Sequence, residues 1–187
     1  MDLDINEKKE IERIVTTFYE NFDIANKDDI DIVSIACQKG FTVQRLNMGK
    51  DLRGMLLYDE THYIAGTRTN KLIVIKKGLS EEQSRYILAR ELGHYSLRGD
   101  KKSLVHRDCF YKNNNLIEDK VDFFARSILM PKKLIIGCVN ELKKKKCDDN
   151  AIVLKISKIF NVSEHNAFLR LRDIKGLSLD EIKKTLG

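Results

Sequence analysis

Residues 87–97 read ILARELGHYSL. Two histidines four apart on a helix, with a glutamate directly after the first, form the H-E-x-x-H arrangement. The spacing puts both imidazoles on one face to hold zinc, and the glutamate acts as general base toward a metal-bound water. The frame here is Arg90-Glu91-Leu92-Gly93-His94. Glu91 stands where the base belongs and His94 where the second ligand belongs, but Arg90 takes the place of the first ligand. A guanidinium keeps its proton and offers no lone pair, so it cannot bind zinc. Its charge also repels the ion by an amount on the order of 6–7 kcal/mol at about 5 Å and an effective dielectric near 20. With an imidazole lost as well, much of the roughly 10–16 kcal/mol seen for structural zinc sites is gone. A conventional zinc site is therefore not expected in this chain.

A His-His-Glu site needs a carboxylate from a second helix, and a further acid nearby to orient a histidine. Glu118 supplies the first and Asp122, one turn later, the second. Taken singly, each is an ordinary solvated helix charge and His94 an ordinary histidine. Taken together they define one candidate metal site, with His94 and Glu118 as ligands, Asp122 behind them and Glu91 as the catalytic group.

The elements that must position these residues can be read from pattern. Ile11, Ile14, Val15, Phe18 and Phe22 recur at helical spacing and predict an amphipathic helix over about 6–25. A second helix is expected from Asp28 or Asp29 to Gly40. Short β-branched and aromatic runs at 41–43, 54–58, 62–65 and 72–75 predict three or four strands of a small, mainly antiparallel sheet. Ser80 and Gln83 form a capping box that opens the helix bearing Arg90, Glu91 and His94. The polar stretch over 99–115 reads as a loop. Val121, Phe124, Ala125 and Ile128 then predict the helix bearing Glu118, which stops at the single proline, Pro131.

Beyond Pro131 the chain reads as entirely helical. One helix runs into Lys143–Lys146, a second covers about 150–160, and a third starts at Ser163 as N-cap. Ser178 with Glu181 predicts a last short helix. The helix-turn-helix spacing around FNVS could present His165, Asn166, Arg170 and Arg172 to a DNA groove. The expected alternative, which we favour, is that these helices pack as scaffold and the lysine run is a solvated helix end.

The chain has 187 residues, 42% hydrophobic and 33% charged, with a net charge of +6. Those values describe a folded domain with a core and exclude a disordered chain. The charge permits an acidic partner without demanding one. No apolar run reaches the roughly 20 residues of a membrane helix, and MDLDINEKKE carries no signal-peptide pattern. Four cysteines without a C-x-x-C pair fit reduced thiols. The expectation is a cytoplasmic protein with no membrane contact.

At this point the sequence resembles a known family, the ImmA/IrrE metallopeptidases. LIVIKKGLSEEQSRYILARELGHY is similar to the family's strand, capping turn and active-site helix. IEDKVDFFARSILMP is similar to its E-x-x-A-N/D-x-F-A…L-M-P helix, with Glu118 at the ligand position and Asp122 at the N/D position. ISKIFNVSEHNAFLRLRDIKGL is similar to its helical tail. The resemblance implies an α+β, zincin-like fold over residues 1–131 and a helical, helix-turn-helix-like region over 132–187. It implies zinc as the family's cofactor, weak or absent here, with Glu91 as base and His94 and Glu118 as ligands. It implies a mobile-element or prophage origin and a transcriptional repressor as the protein acted upon, by zinc endopeptidase chemistry that Arg90 impairs. The alternative is a non-catalytic regulator that binds a repressor or DNA through the tail.

Three accounts of Arg90 stand open at this stage. It could mark a pseudoenzyme in which the arginine pairs with Glu118. The site could be weakly metallated through a substitute ligand, His106 or Cys109. Or Arg90 could be a substitution introduced into a working sequence. Arg98 also stands where relatives often carry a histidine, which mildly favours natural divergence.

Overall fold

In a computed structural model, residues 3–20, 30–98, 102–109 and 116–185 are described, the side chains of 107–109 and 175–185 excepted. Helix α1 (Ile5–Phe18) and α2 (Ile32–Gln38) precede strands β1 (Thr42–Leu46), β2 (Leu52–Asp59) and β3 (Lys71–Lys76). Helix α3 (Glu81–Leu97), strand β4 (Ser103–Cys109) and helix α4 (Leu116–Leu129) follow. Helices α5 (Lys132–Lys144), α6 (Asp149–Ile159) and α7 (Glu164–Thr185) complete the chain.

The architecture is α+β: a four-stranded sheet in the order β1-β3-β2-β4, flanked by helices. β2 runs antiparallel to both β3 and β4, whereas β1 runs parallel to β3, so the sheet is mixed. β3 is buried along Leu72–Ile75, as a central strand covered on both faces must be. Among the described residues, no helix is long and apolar enough to cross a membrane.

α3 lies at the centre. Its start is fixed by the expected capping box, with Ser80 Oγ accepting from Gln83 N at 3.1 Å and Gln83 Oε1 accepting from Ser80 N at 3.1 Å. Residues Ile87 through His94 are all buried, polar and apolar alike, because one side of α3 meets the sheet and another meets α4. Two glycines make both approaches possible. A Cβ on Gly54 of β2 would stand 2.5 Å from Ile87 Cγ2 and 3.2 Å from Glu91 Oε1. A Cβ on Gly93 would stand 3.0 Å from the Phe124 ring. α3 can therefore lie close to β2 and α4 at once, and its polar residues are carried into the interior.

Several expectations are corrected. The 99–115 stretch is not all loop: Ser103–Cys109 form β4, paired antiparallel with β2 in the register Leu56 to His106. Residues 62–65 form no strand. Asp59 Oδ1 accepts from Thr61 N and His62 N at 2.9 Å each, turning the chain after β2. Tyr63 is left 73% exposed. α1 stops at Phe18, short of 25, and residues 21–25 lie outside the described ones. α2 starts at Ile32 with Asp31 as N-cap; Asp28 and Asp29 lie outside the described residues. No separate last helix begins at Ser178, because α7 runs unbroken to Thr185.

The tail packs on what precedes it. Arg170 of α7 is 0% exposed; its Nε donates to Met130 O at 3.0 Å, and its guanidinium meets Ser127 Oγ and Glu12 of α1. Arg126 of α4 donates to Asp173 at 2.9 and 3.1 Å. Phe123 lies beneath both guanidiniums, and Phe123, Phe124 and Phe160 are fully buried. Complete burial of such a side chain is worth about 1.5–3 kcal/mol.

Candidate functional site

The site sits where α3, α4 and β4 meet. Tyr86 and Arg90 face α4, Glu91 faces the sheet, and His94 lies between the two directions. This follows from helical spacing, since residues four apart share a face and adjacent ones diverge by about 100°.

Arg90, 3% exposed, is held by both acids of α4. Its Nη2 lies 2.5 Å from Glu118 Oε2, and its Nη1 donates to Asp122 Oδ1. The Tyr86 hydroxyl donates to the same Asp122 oxygen at 3.1 Å. The pairing of Arg90 with Glu118 weighed from the sequence is made, and Asp122 joins it. Hydrogen bonds between ionised partners are stronger than neutral ones, and each added partner fixes the fork more firmly.

His94 is 0% exposed, and among the described residues neither ring nitrogen has a hydrogen-bond partner. Its Nε2 lies 3.6 Å from Glu118 Oε2, beyond hydrogen-bonding reach. Burial above all, helped by His106, Arg90 and Arg98, pushes its pKa down from 6.5 to about 2. The ring is therefore neutral, which is the state a metal ligand requires.

The residue whose place the sequence did not settle is His106. β4 carries it onto the site, with its ring stacked on that of His94 at 3.5 Å between centroids and 26° between planes. His106 Nδ1 lies 2.9 Å from Glu91 Oε2. A carboxylate accepts, so Nδ1 is the donor of this pair. Ligand atoms of His94, His106 and Glu118 all lie within 4.8 Å of one another. Along β4 Leu104 is buried and Val105 exposed, so His106 returns to the inner face; the sequence, with two apolar residues in succession before the histidine, did not mark that alternation. The side chain of Cys109, weighed beside His106, lies outside the described residues.

The two segments thus bring Arg90, Glu91, His94, Glu118 and Asp122 together. The tail residues do not form one surface. Arg170 is internal, whereas His165 and Arg172 are exposed. The family's zinc set does not fit this chain, because the first-ligand position holds a guanidinium that already occupies Glu118.

A small mixed sheet, a central helix bearing E-x-x-H and a second helix bearing the acidic partner define a zincin-like, metallopeptidase-type framework. The family model described as the IrrE N-terminal-like domain, Peptidase_M78, matches residues 36–172, more than half of the chain. The chain belongs to that family. Comparison with curated proteins finds no match.

Proposed function

We propose that this protein is an ImmA/IrrE-type, metallopeptidase-like regulator, encoded by a mobile element or prophage. It acts on a transcriptional repressor, and Arg90 impairs the peptide hydrolysis that the framework once served. The observation that carries this reading is Arg90 seated between Glu118 and Asp122. The cation that a metallopeptidase supplies as zinc is supplied there by the protein itself, so the carboxylates are balanced with no ion. Glu91 supports the same reading, since one of its oxygens is engaged by His106. A base held in that way is not aimed at an attacking water.

The test takes as candidate partner a transcriptional repressor encoded near this protein's gene, where this reading places it. The purified chain is expected to bind that repressor and, with zinc supplied, to leave it intact, as read by co-elution and by mass spectrometry of the products. Arg90→His is expected to gain zinc-dependent cleavage. Cleavage by the unaltered chain at the rate of Arg90→His would overturn the proposal.

A further inference from the structure

We propose that the cleft between α5, α6 and α7 is a docking surface for an acidic, amphipathic helix of a partner protein. The cleft shares no residue with the site at Arg90, and it stands or falls independently of how that site is read.

Val139 of α5, Ile152 and Val153 of α6 and Leu171 of α7 line the cleft as an apolar floor, and Phe168 of α7 stands beside them. Ile152 is 4% exposed and belongs to the core, whereas Phe168 is left 53% exposed. A single exposed apolar side chain is ordinary. One that continues a half-buried apolar cleft marks a place where another surface sits. The cavity measures about 190 Å³. Small-molecule pockets run to roughly 300–1,000 Å³, so this one suits a few anchoring side chains of a larger partner.

Shape and charge select the occupant. A helix that reads DNA projects into a groove and offers hydrogen-bonding groups to base edges. Here α7 forms one wall of a concavity and offers Phe168 to it, which suits protein and not nucleic acid. All of the lining residues lie on helices, so an extended peptide finds no strand edge to pair with. A helix laid in the cleft needs only side-chain anchors at i, i+3, i+4 and i+7. Lys143 and Arg172 stand at the rim with Asp149, and Lys144, Lys145 and Lys146 continue from Lys143. Lys144 is engaged by Glu141 at 3.0 Å, whereas Lys145 and Lys146 are exposed. A second copy of this chain, with its net charge of +6, would bring like charges face to face. Acidic flanks on a partner helix meet the same lysines with opposite charge.

The experiment measures binding of a fluorescein-labelled synthetic helix to the full chain by anisotropy. The probe has about 18 residues, long enough to hold a helix, with leucines along one face and glutamates on its flanks. Two companions separate shape from charge: one carries lysines in place of the glutamates, the other alanines in place of the leucines. Saturable binding of the acidic probe is expected, with each companion weaker by at least about tenfold. Phe168→Gln should weaken the acidic probe by about tenfold or more, as loss of a central anchor does. Because Phe168 is exposed, that variant's melt should match the parent's. Lys143→Glu, fully on the surface, carries the test if it does not, and should weaken the acidic probe by a margin that shrinks as salt rises. Leu154→Gln, at an exposed leucine of α6 outside the cleft, should bind as the parent does. No saturable binding of the acidic probe, equal affinity for the lysine companion, or parental affinity in both Phe168→Gln and Lys143→Glu would overturn the proposal. So would a DNA duplex that displaces the probe, or a parental dimer in sedimentation that Phe168→Gln dissolves. The cleft would then belong to nucleic acid or to a second copy.

Discussion

Arg90 is a buried cation between two acids, and its energetic weight lies in what its removal leaves behind. Glu118 and Asp122 side chains are 16% and 10% exposed, so their charges are only partly solvated. Breaking a buried pair by deleting one partner typically costs about 3–5 kcal/mol, since the other charge stays uncompensated. Arg90→Ala is therefore expected to lose about 3 kcal/mol or more in chemical denaturation, and Arg90→His to recover most of that only with zinc present. A loss within about 0.5 kcal/mol, the range of an ordinary surface change, would mean that the pair does not stabilise the fold. His94 gives a second expectation, for the metal-free protein. Its pKa falls from 6.5 to about 2 on folding, so between those values the unfolded chain binds more protons than the folded one. Stability then rises with pH across that window, by up to about 1.4 kcal/mol per unit, and the contribution is complete above 6.5. Equilibrium melts of the parent and of His94→Gln at acid pH should show the slope shallower in the variant; equal slopes would contradict the burial of a neutral ring. The five residues of α3 and α4 were legible because helical spacing fixes which side chains share a face. His106 was legible only as one of two substitutes, because a histidine in a polar run carries no periodic signal strong enough to mark its direction.

Between elements, the site depends on how closely α3 can lie against its neighbours. Gly54 is the point of nearest approach to the sheet, and the atom that a Cβ would strike, Ile87 Cγ2, sits on a branched carbon and cannot swing aside. Gly54→Ala is expected to push α3 off β2 and cost about 1–3 kcal/mol, the range for overpacking a dense interior. It should also disturb the Glu91–His106 contact, seen as a shifted His106 imidazole resonance in NMR. An unchanged melt and spectrum would show that the interface yields freely. The same elements show where pattern reading stops. α3 was found from its capping box, yet its burial on several sides could not be seen, because Arg90, Glu91 and His94 look like a solvent face. β4 was hidden by Ser103, His106, Arg107 and Asp108, which disguise an alternating strand as a loop. The 62–65 run misled for the opposite reason: Tyr63 and Ile64 favour a strand by type, but Asp59 captures the next backbone amides and turns the chain.

Across the whole molecule, α1 and α7, the two ends of the described chain, are tied together over α4. Arg170 spans Glu12, Ser127 and Met130, a set of long-range contacts that no local pattern announces. A helical tail read from the sequence could equally have offered that arginine to DNA; its complete burial assigns it to packing. Arg170→Met is expected to cost roughly 1.5–3 kcal/mol, the range for hydrogen bonds to a charged group. Hydrogen exchange in α1 should quicken with it, whereas exchange confined to α7 would mean that the two helices are held independently. The central claim is that Arg90 stands in for the metal of the family's framework. Its most direct test is the equilibrium zinc affinity of the unaltered chain beside that of Arg90→His, measured by competition with a chromophoric chelator. Restoring the imidazole and removing the opposing charge should tighten binding by about a hundredfold or more, equivalent to roughly 2.7 kcal/mol. Equal affinity in the two proteins, with the unaltered chain already holding one tight zinc, would contradict it.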